Sequence, residues 1–203
     1  MKGKTGIVIA TMIEALPFIK GLSLEPTARK PFPVYINNEF TLIVSGIGKV
    51  YAALAAGMLI RDSGISALIN TGSAGGLREG VKTGDIFHIS EVVDYDRPKL
   101  RNNEMRIIKP DTFDGFRLAS LATLDRPVIT AGDRQLVGQY ADIIDMEGAG
   151  FLQACRAFGA DAYLWKIVSD TAEDTSGADI VANIKKLSDT LFQFMKESVF
   201  VNF

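Results

Sequence analysis

Ala67-Leu-Ile-Asn-Thr-Gly-Ser-Ala-Gly-Gly-Leu77 is the stretch on which the fold class turns. Its apolar run breaks off into Thr71-Gly72-Ser73-Ala74-Gly75-Gly76, small residues that let a ligand touch backbone. A buried strand ending this way is how an open α/β sheet builds a crevice at its carboxyl edge, with free N–H groups and room for a planar or anionic ligand. The same residues would equally serve a tight strand-to-loop turn with no ligand. They do not fit G-x-G-x-x-G. Gly46-Ile-Gly-Lys-Val50 fails as a P-loop, because Ile43 stands where the first glycine belongs and Val50 where Ser or Thr should be.

Outward from that stretch, strands and helices alternate. Before it, Glu39 to Ser45 reads as a strand closed by Gly46-Ile-Gly48. Lys49 to Arg61, with Ala52, Ala53, Ala55, Ala56, Leu59 and Ile60, reads as a helix packed on a sheet and ended by Gly64. Lys4 to Thr11 is a buried strand, and Met12 to Phe18 opens a helix with Glu14 at the junction. Residues 23–38, with Pro26, Pro31 and Pro33, read as a connection and an edge strand. After it, strands are expected at Gly84 to Val93, Met105 to Ile108, Arg126 to Ala131 and Asp161 to Val168, with a short apolar piece at Ala141 to Asp145. Helices are expected at Phe113 to Leu121, from Met146 to Phe158, and from Ala178 to Val199. The last carries the repeat Ile180, Ile184, Leu187, Leu191, Phe194, Met195. Glycine and alanine along the Met146 helix predict close backbone approach. The pattern is α/β, and parallel strand pairing is its simplest form.

The chain has 203 residues, 47% apolar and 23% charged, enough to bury one sizeable core, and reads as one domain over 1–203. A formal net charge of -2 with no long basic run argues against nucleic acid or an anionic membrane surface as partner and leaves small molecules. The run Thr5 to Thr11 is too short for a signal peptide or spanning helix, so a cytoplasmic location is expected. Cys155 has no partner for an internal disulfide and sits on an apolar helix face; His88, between Phe87 and Ile89, reads as a packed histidine. One His and one Cys do not make a zinc site, and no metal or other cofactor is expected.

Acidic or hydroxyl residues stand where several strands end: Glu14, Ser73, Glu147 and Ser169-Asp170. Each alone is explained as a helix cap or a first-turn carboxylate. As a set they would converge on one crevice. Chemistry suited to such a set is cleavage through a cation-like transition state, with one carboxyl donating a proton to the leaving group and another serving as base for water.

Ser45-Gly-Ile-Gly-Lys49, Asn70-Thr-Gly-Ser-Ala-Gly-Gly76, Asp145-Met-Glu147 and Ser169-Asp170, in this order and with Glu14 after the first strand, resemble the nucleoside phosphorylase/nucleosidase superfamily. Its bacterial 5′-methylthioadenosine/S-adenosylhomocysteine nucleosidase branch is the nearest. The resemblance runs from about Gly6 to Asp174 and implies a three-layer α/β/α sandwich with a mixed, partly closed sheet. It implies roles as well. Asp170 would protonate N7 of the departing purine and Ser169 would hold that carboxyl. Glu14 would orient and deprotonate water, Glu147 would take the ribose hydroxyls, and Met146 would pack on the sugar. Ser73, Ala74 and Gly75 would line the base and ribose pocket. A homodimer is expected from the resemblance and from the Ala52 to Ala56 helix face.

Three departures bear on the substrate. The family's long loop after Val93 is shortened here to roughly Asp94 to Asn103. Gln135 stands where the nucleosidase has an aromatic that stacks on adenine, and Lys166 where it has an arginine, keeping charge but losing the planar fork. The expected activity is hydrolysis of an adenosine-type nucleoside, methylthioadenosine- or adenosylhomocysteine-like or related, such as futalosine, with release of free base. A phosphate-dependent phosphorylase and a non-catalytic nucleoside-binding protein are the alternatives. Water is favoured over phosphate because there is no Gly-x-Pro-x-Arg pattern after the first strand and Asn70 stands where many phosphorylases have arginine. Arg29, Lys49 and Arg78 remain as other sources of charge.

Overall fold

The computed structural model describes residues 4–102, 104–172 and 177–203, with side chains at 62, 63 and 177–181 left aside. The expected boundaries at Asn103 and Asp174, and the Ile180 side chain of the closing helix, lie outside the described residues. One sheet carries the strands β1 (Thr5–Ile9), β2 (Glu25–Ala28), β3 (Val34–Ile36), β4 (Phe40–Val44), β5 (Ala67–Gly76), β6 (Ile86–Asp94), β7 (Arg106–Ile108), β8 (Leu118–Thr123), β9 (Ile143–Asp145) and β10 (Asp161–Asp170). The order is β10-β6-β8-β9-β5-β1-β4-β3-β2, and β10 also pairs with β5. The strands β5, β9, β8, β6 and β10 therefore close a ring, from which β1, β4, β3 and β2 extend as an arm.

The pairing is mixed, as the family resemblance implied and not as strand–helix alternation alone suggested. β1 is parallel to β4 and β5, β5 to β10, and β8 to β6 and β9. β10 is antiparallel to β6, β5 to β9, and β3 to both β2 and β4. Helices cover both faces. On one, α2 (Lys49–Ser63) packs against α4 (Gly148–Phe158); on the other, α1 (Met12–Gly21) packs against α5 (Gly177–Phe194). The close approach expected of the glycine-bearing helix is present. A Cβ on Gly150 would run into the Lys49 backbone, so α2 and α4 meet backbone to backbone there. Ala52, Ala55 and Ala56 are wholly buried in this same core, so the alanine face expected to drive self-association is used within the chain.

Three local expectations are overturned. The segment 71–76 is not a turn: β5 runs on through it, paired with β10 from Ala67↔Asp161 to Gly75↔Asp170. Small residues there serve close packing across the sheet, which local sequence reads as chain reversal. Leu118–Thr123 is a strand and not part of a helix, because pairing with β6 and β9 on both sides outweighs the helix propensity of Leu and Ala. Arg126 to Ala131 is an irregular segment leading into α3 (Ala131–Val137). The missed signal is Thr130, whose side chain accepts from Asp133 N at 3.1 Å as an N-cap.

His88 and Cys155 are core residues, as expected. The His88 ring stacks on Trp165 at 3.9 Å, with Nδ1 2.9 Å from the Leu164 carbonyl and Nε2 3.0 Å from Phe113 N. Burial holds its pKa down and pushes the Cys155 thiol up to about 12.

Candidate active site

The register of β5 on β10 sets Ser73 opposite Ile167, Ala74 opposite Val168 and Gly75 opposite Asp170. A cavity of about 220 Å³ opens there. Glu14, Ser73, Ala74, Gly75, Met146, Glu147, Lys166, Ser169 and Asp170 all line it. Of the residues expected in the sequence to catalyse or to bind substrate, Gln135 alone is elsewhere: it is exposed on α3 and does not line the cavity. The helical register turns Gln135 outward and its neighbour Arg134 inward, so Arg134 is the α3 side chain that reaches the site.

Each carboxylate is held by its own set of donors. Glu14 completes a capping box with Thr11: its Oε2 accepts from Thr11 Oγ1 at 2.6 Å and Thr11 N at 3.2 Å. Its Oε1 reaches across to β5 and accepts from Ser73 N at 2.8 Å and Ser73 Oγ at 2.7 Å. Helix cap and cavity residue are thus one side chain. Gly72 makes room for it, since a Cβ there would stand 2.9 Å from Oε1 at a backbone φ of 153°.

Asp170 Oδ1 accepts from Ser169 Oγ at 2.6 Å, and Oδ2 accepts from the Arg134 guanidinium. Asn183 of α5 donates to the Ser169 carbonyl at 3.1 Å, tying this strand end to the covering helix.

Glu147 stands just before α4. Its Oε1 accepts from Gly48 N at 3.0 Å and its Oε2 from Met146 N at 3.3 Å. The Gly46-Ile-Gly48 motif that fails as a phosphate loop therefore supplies a backbone donor to the site, at a Gly48 φ of 111° that favours glycine. Beneath it, Lys166 is 1% exposed and pairs with Asp145 at 2.8 Å. Asp145 also accepts from Thr123 Oγ1 at 2.7 Å and Gly148 N at 2.9 Å, so its carboxylate has three donors. Burial pulls the Lys166 ammonium down, but Asp145 and Glu147 carry it above its usual value. The lysine that replaces an expected arginine thus acts from below the carboxylates as their counter-charge.

The connection after β6 begins at a second ionic cluster. Lys49 Nζ meets Asp94 at 3.0 Å, Asp125 at 3.2 Å and Asp96 at 3.3 Å. Gln153 of α4 donates to Asp94 Oδ2 at 2.9 Å, so the start of this connection is pinned to α2 and α4.

Glu147 has a raised carboxyl pKa. Burial, reinforced by Asp145, pushes its pKa up to about 7 from 4.5. A raised carboxyl pKa means the folded chain binds that proton more tightly than the unfolded chain. The stability it contributes is complete below pH 4.5 and is lost as pH rises through about 7. Glu147→Gln keeps the shape without the charge. Thermal unfolding from pH 5 to 8 is expected to show the variant gaining several degrees on the parent as pH rises; a constant difference across that range would contradict the shift.

Comparison with known proteins agrees with this architecture. A model of the phosphorylase superfamily matches residues 4–113 and 112–199. A 5′-methylthioadenosine/S-adenosylhomocysteine nucleosidase of Haemophilus ducreyi is 31% identical over 87% of this chain and 88% of its own length. An aminodeoxyfutalosine nucleosidase of Helicobacter pylori is 26% identical over 97% of this chain and 98% of its own. The crystal structure of a Helicobacter pylori nucleosidase variant with 5′-methylthioadenosine in its active site superposes with a TM-score of 0.86 at 20% identity, covering 100% of this chain and 99% of that one, which shows the shared fold. The chain belongs to the nucleoside phosphorylase/nucleosidase superfamily.

Proposed function

We propose that this chain, as a single domain over 1–203, is a purine nucleosidase. Its substrate would be an adenosine-type nucleoside of the methylthioadenosine or adenosylhomocysteine kind, or a related compound such as futalosine. One observation carries the reading: Glu14, Glu147 and Asp170, far apart in sequence, line one cavity, each with its own donors. The names of the relatives point the same way.

In this reading Asp170 gives its proton to N7 of the purine as the C1′–N9 bond breaks and its electron pair passes to the base. Water adds to C1′ and loses its proton to Glu14; solvent then restores both carboxyls. Glu147 takes the ribose hydroxyls, using the acceptor positions that Gly48 N and Met146 N leave free. Glu14 starts with four donors on its two oxygens, so one hydroxyl, Ser73 or Thr11, must turn away before water can be activated. Ser73 is the suitable one, because its backbone N–H holds Oε1 at 2.8 Å against 3.2 Å from Thr11 N to Oε2, and the Thr11 hydroxyl also caps α1 by accepting from Glu14 N. Positive charge growing at C1′ is favoured by carboxylates already oriented in a cavity with apolar walls at Ile47, Met146 and Val128.

Water as nucleophile is supported by where the cations are committed. Lys166 pairs with Asp145, Arg134 with Asp170, Lys49 with three aspartates, Arg78 with Asp142 and Arg126 with Asp133. Arg29 is exposed and outside the cavity lining. A phosphate dianion would need such groups free beside it. The unpaired Cys155 thiol suits a cytoplasmic enzyme.

The test is incubation with adenosine and inosine derivatives bearing different 5′ groups, with assay for free base. Release is expected, and Asp170→Asn should lower kcat by about 100-fold or more while leaving binding largely intact. Binding by the unaltered chain without release would support the nucleoside-binding alternative instead.

A homodimer is part of the same proposal, on different grounds from the buried alanines. Ile47, Val50, Tyr51 and Leu54 follow one another at helical spacing along the outer face at the start of α2, at 56, 70, 54 and 57% exposure. Such a contiguous apolar stripe suits a two-fold contact. Sedimentation at micromolar concentration should give twice 22.0 kDa; a 22.0 kDa species alone would refute the dimer.

A further inference from the structure

Asp170 is gripped from two sides, and the second grip belongs to a residue that sequence reading passed over. Ser169 holds Oδ1, and Arg134 donates through Nη2 to Oδ2. The two side chains of this ion pair are 3% and 6% exposed. Arg134 Nη1 donates to the Gly76 carbonyl at 2.9 Å, and a Cβ on Gly75 would come within 3.2 Å of Nη1, so the glycine gives the guanidinium its place. Nε has no partner in the protein among the described residues. A buried ion pair is a poor way to fill space, because apolar side chains of similar volume commonly stabilise as well or better. Ser169 already orients the carboxyl. The remaining differences between an arginine and an apolar filler at this place are its charge and its bonds to the Gly76 and Asp170 carbonyls.

We infer that Arg134 is a positioning residue for the reaction: it fixes the Asp170 carboxyl and takes up the negative charge that appears there when its proton passes to the leaving purine. This rests on the nucleosidase reading. A carboxyl group has about four acceptor positions, so Ser169 and Arg134 leave room for a proton directed into the cavity. At rest the pair holds Asp170 as a carboxylate, and solvent gives it a proton as the nucleoside binds. As that O–H bond breaks, the N7–H bond forms and the C1′–N9 pair moves onto the base; the carboxylate is restored against a guanidinium already in contact with it. The contact costs no rearrangement at that moment. The other charged groups lining the cavity are Glu14, Arg126, Asp145, Glu147 and Lys166. Lys166 is committed to Asp145 and Arg126 to Asp133, so among the described residues Arg134 is the cation that meets the acid.

The test is a double-mutant cycle on the full chain with 5′-methylthioadenosine, or whichever nucleoside of the panel is cleaved best. Arg134→Met is expected to lower kcat by about 10- to 100-fold with KM within about threefold. Added to Asp170→Asn it should cost nothing more, since an amide donates no proton and leaves no charge to hold. Arg134→Lys, which keeps the charge without the fork, should recover part of kcat and serves in place of the Met variant if that does not fold. Losses that multiply in the double variant, or a Lys variant whose defect lies in KM, would overturn the inference. Absence of base release by the unaltered chain from every nucleoside would overturn the nucleosidase reading itself, and the inference with it, before any variant is made.

Discussion

The parallel pairing of β5 with β10 is the constraint on which the site depends. It runs the length of both strands and brings Ser73-Ala74-Gly75 alongside Val168-Ser169-Asp170. Small side chains on β5 make that contact useful, because they leave depth where larger ones would fill it. Gly72 admits the Glu14 carboxylate and Gly75 admits the Arg134 guanidinium. Two groups from α1 and α3 therefore reach the same strand from different directions.

Around that pair the structure divides charge into layers. Lys166 and Asp145 lie deepest, and Asp145 is held there by Lys166, Thr123 and Gly148 together. Glu147 sits above them with its proton affinity raised by burial and by Asp145. Glu14 and Asp170 are each held by hydroxyls that can rotate and by partners that do not, the Ser73 N–H for one and Arg134 for the other. The hydroxyls allow a proton to move while the fixed donors keep each carboxyl in place. In the proposed reaction, positive charge would build on the sugar with no more than a hydroxyl turning.

Much of the arm, with α1 and α2, was legible in the sequence, because β1, β4, α1 and α2 are signalled by local patterns: continuous apolar runs, a first-turn glutamate at Glu14, and Gly64 as the glycine that ends α2. The ring was less so. Leu118–Thr123 has the composition of a helix and becomes β8 through neighbours distant in sequence, and 71–76 looks like a turn because its glycines serve side chains that arrive from elsewhere. The carboxylates of the site could be picked out by their places at strand ends. Arg134 could not: it and Gln135 are adjacent in sequence, and which one faces the cavity depends on where α3 begins. That in turn rests on the Thr130 cap, a signal too local to stand out within an apparent strand.

The central claim is that these carboxylates direct water onto the anomeric carbon. The most direct measurement is base release in ¹⁸O-labelled water, with and without added phosphate, followed by mass analysis of the sugar. The account predicts free sugar carrying one ¹⁸O atom, formed at a rate unchanged by phosphate. Unlabelled sugar 1-phosphate, formed only when phosphate is present, would contradict it.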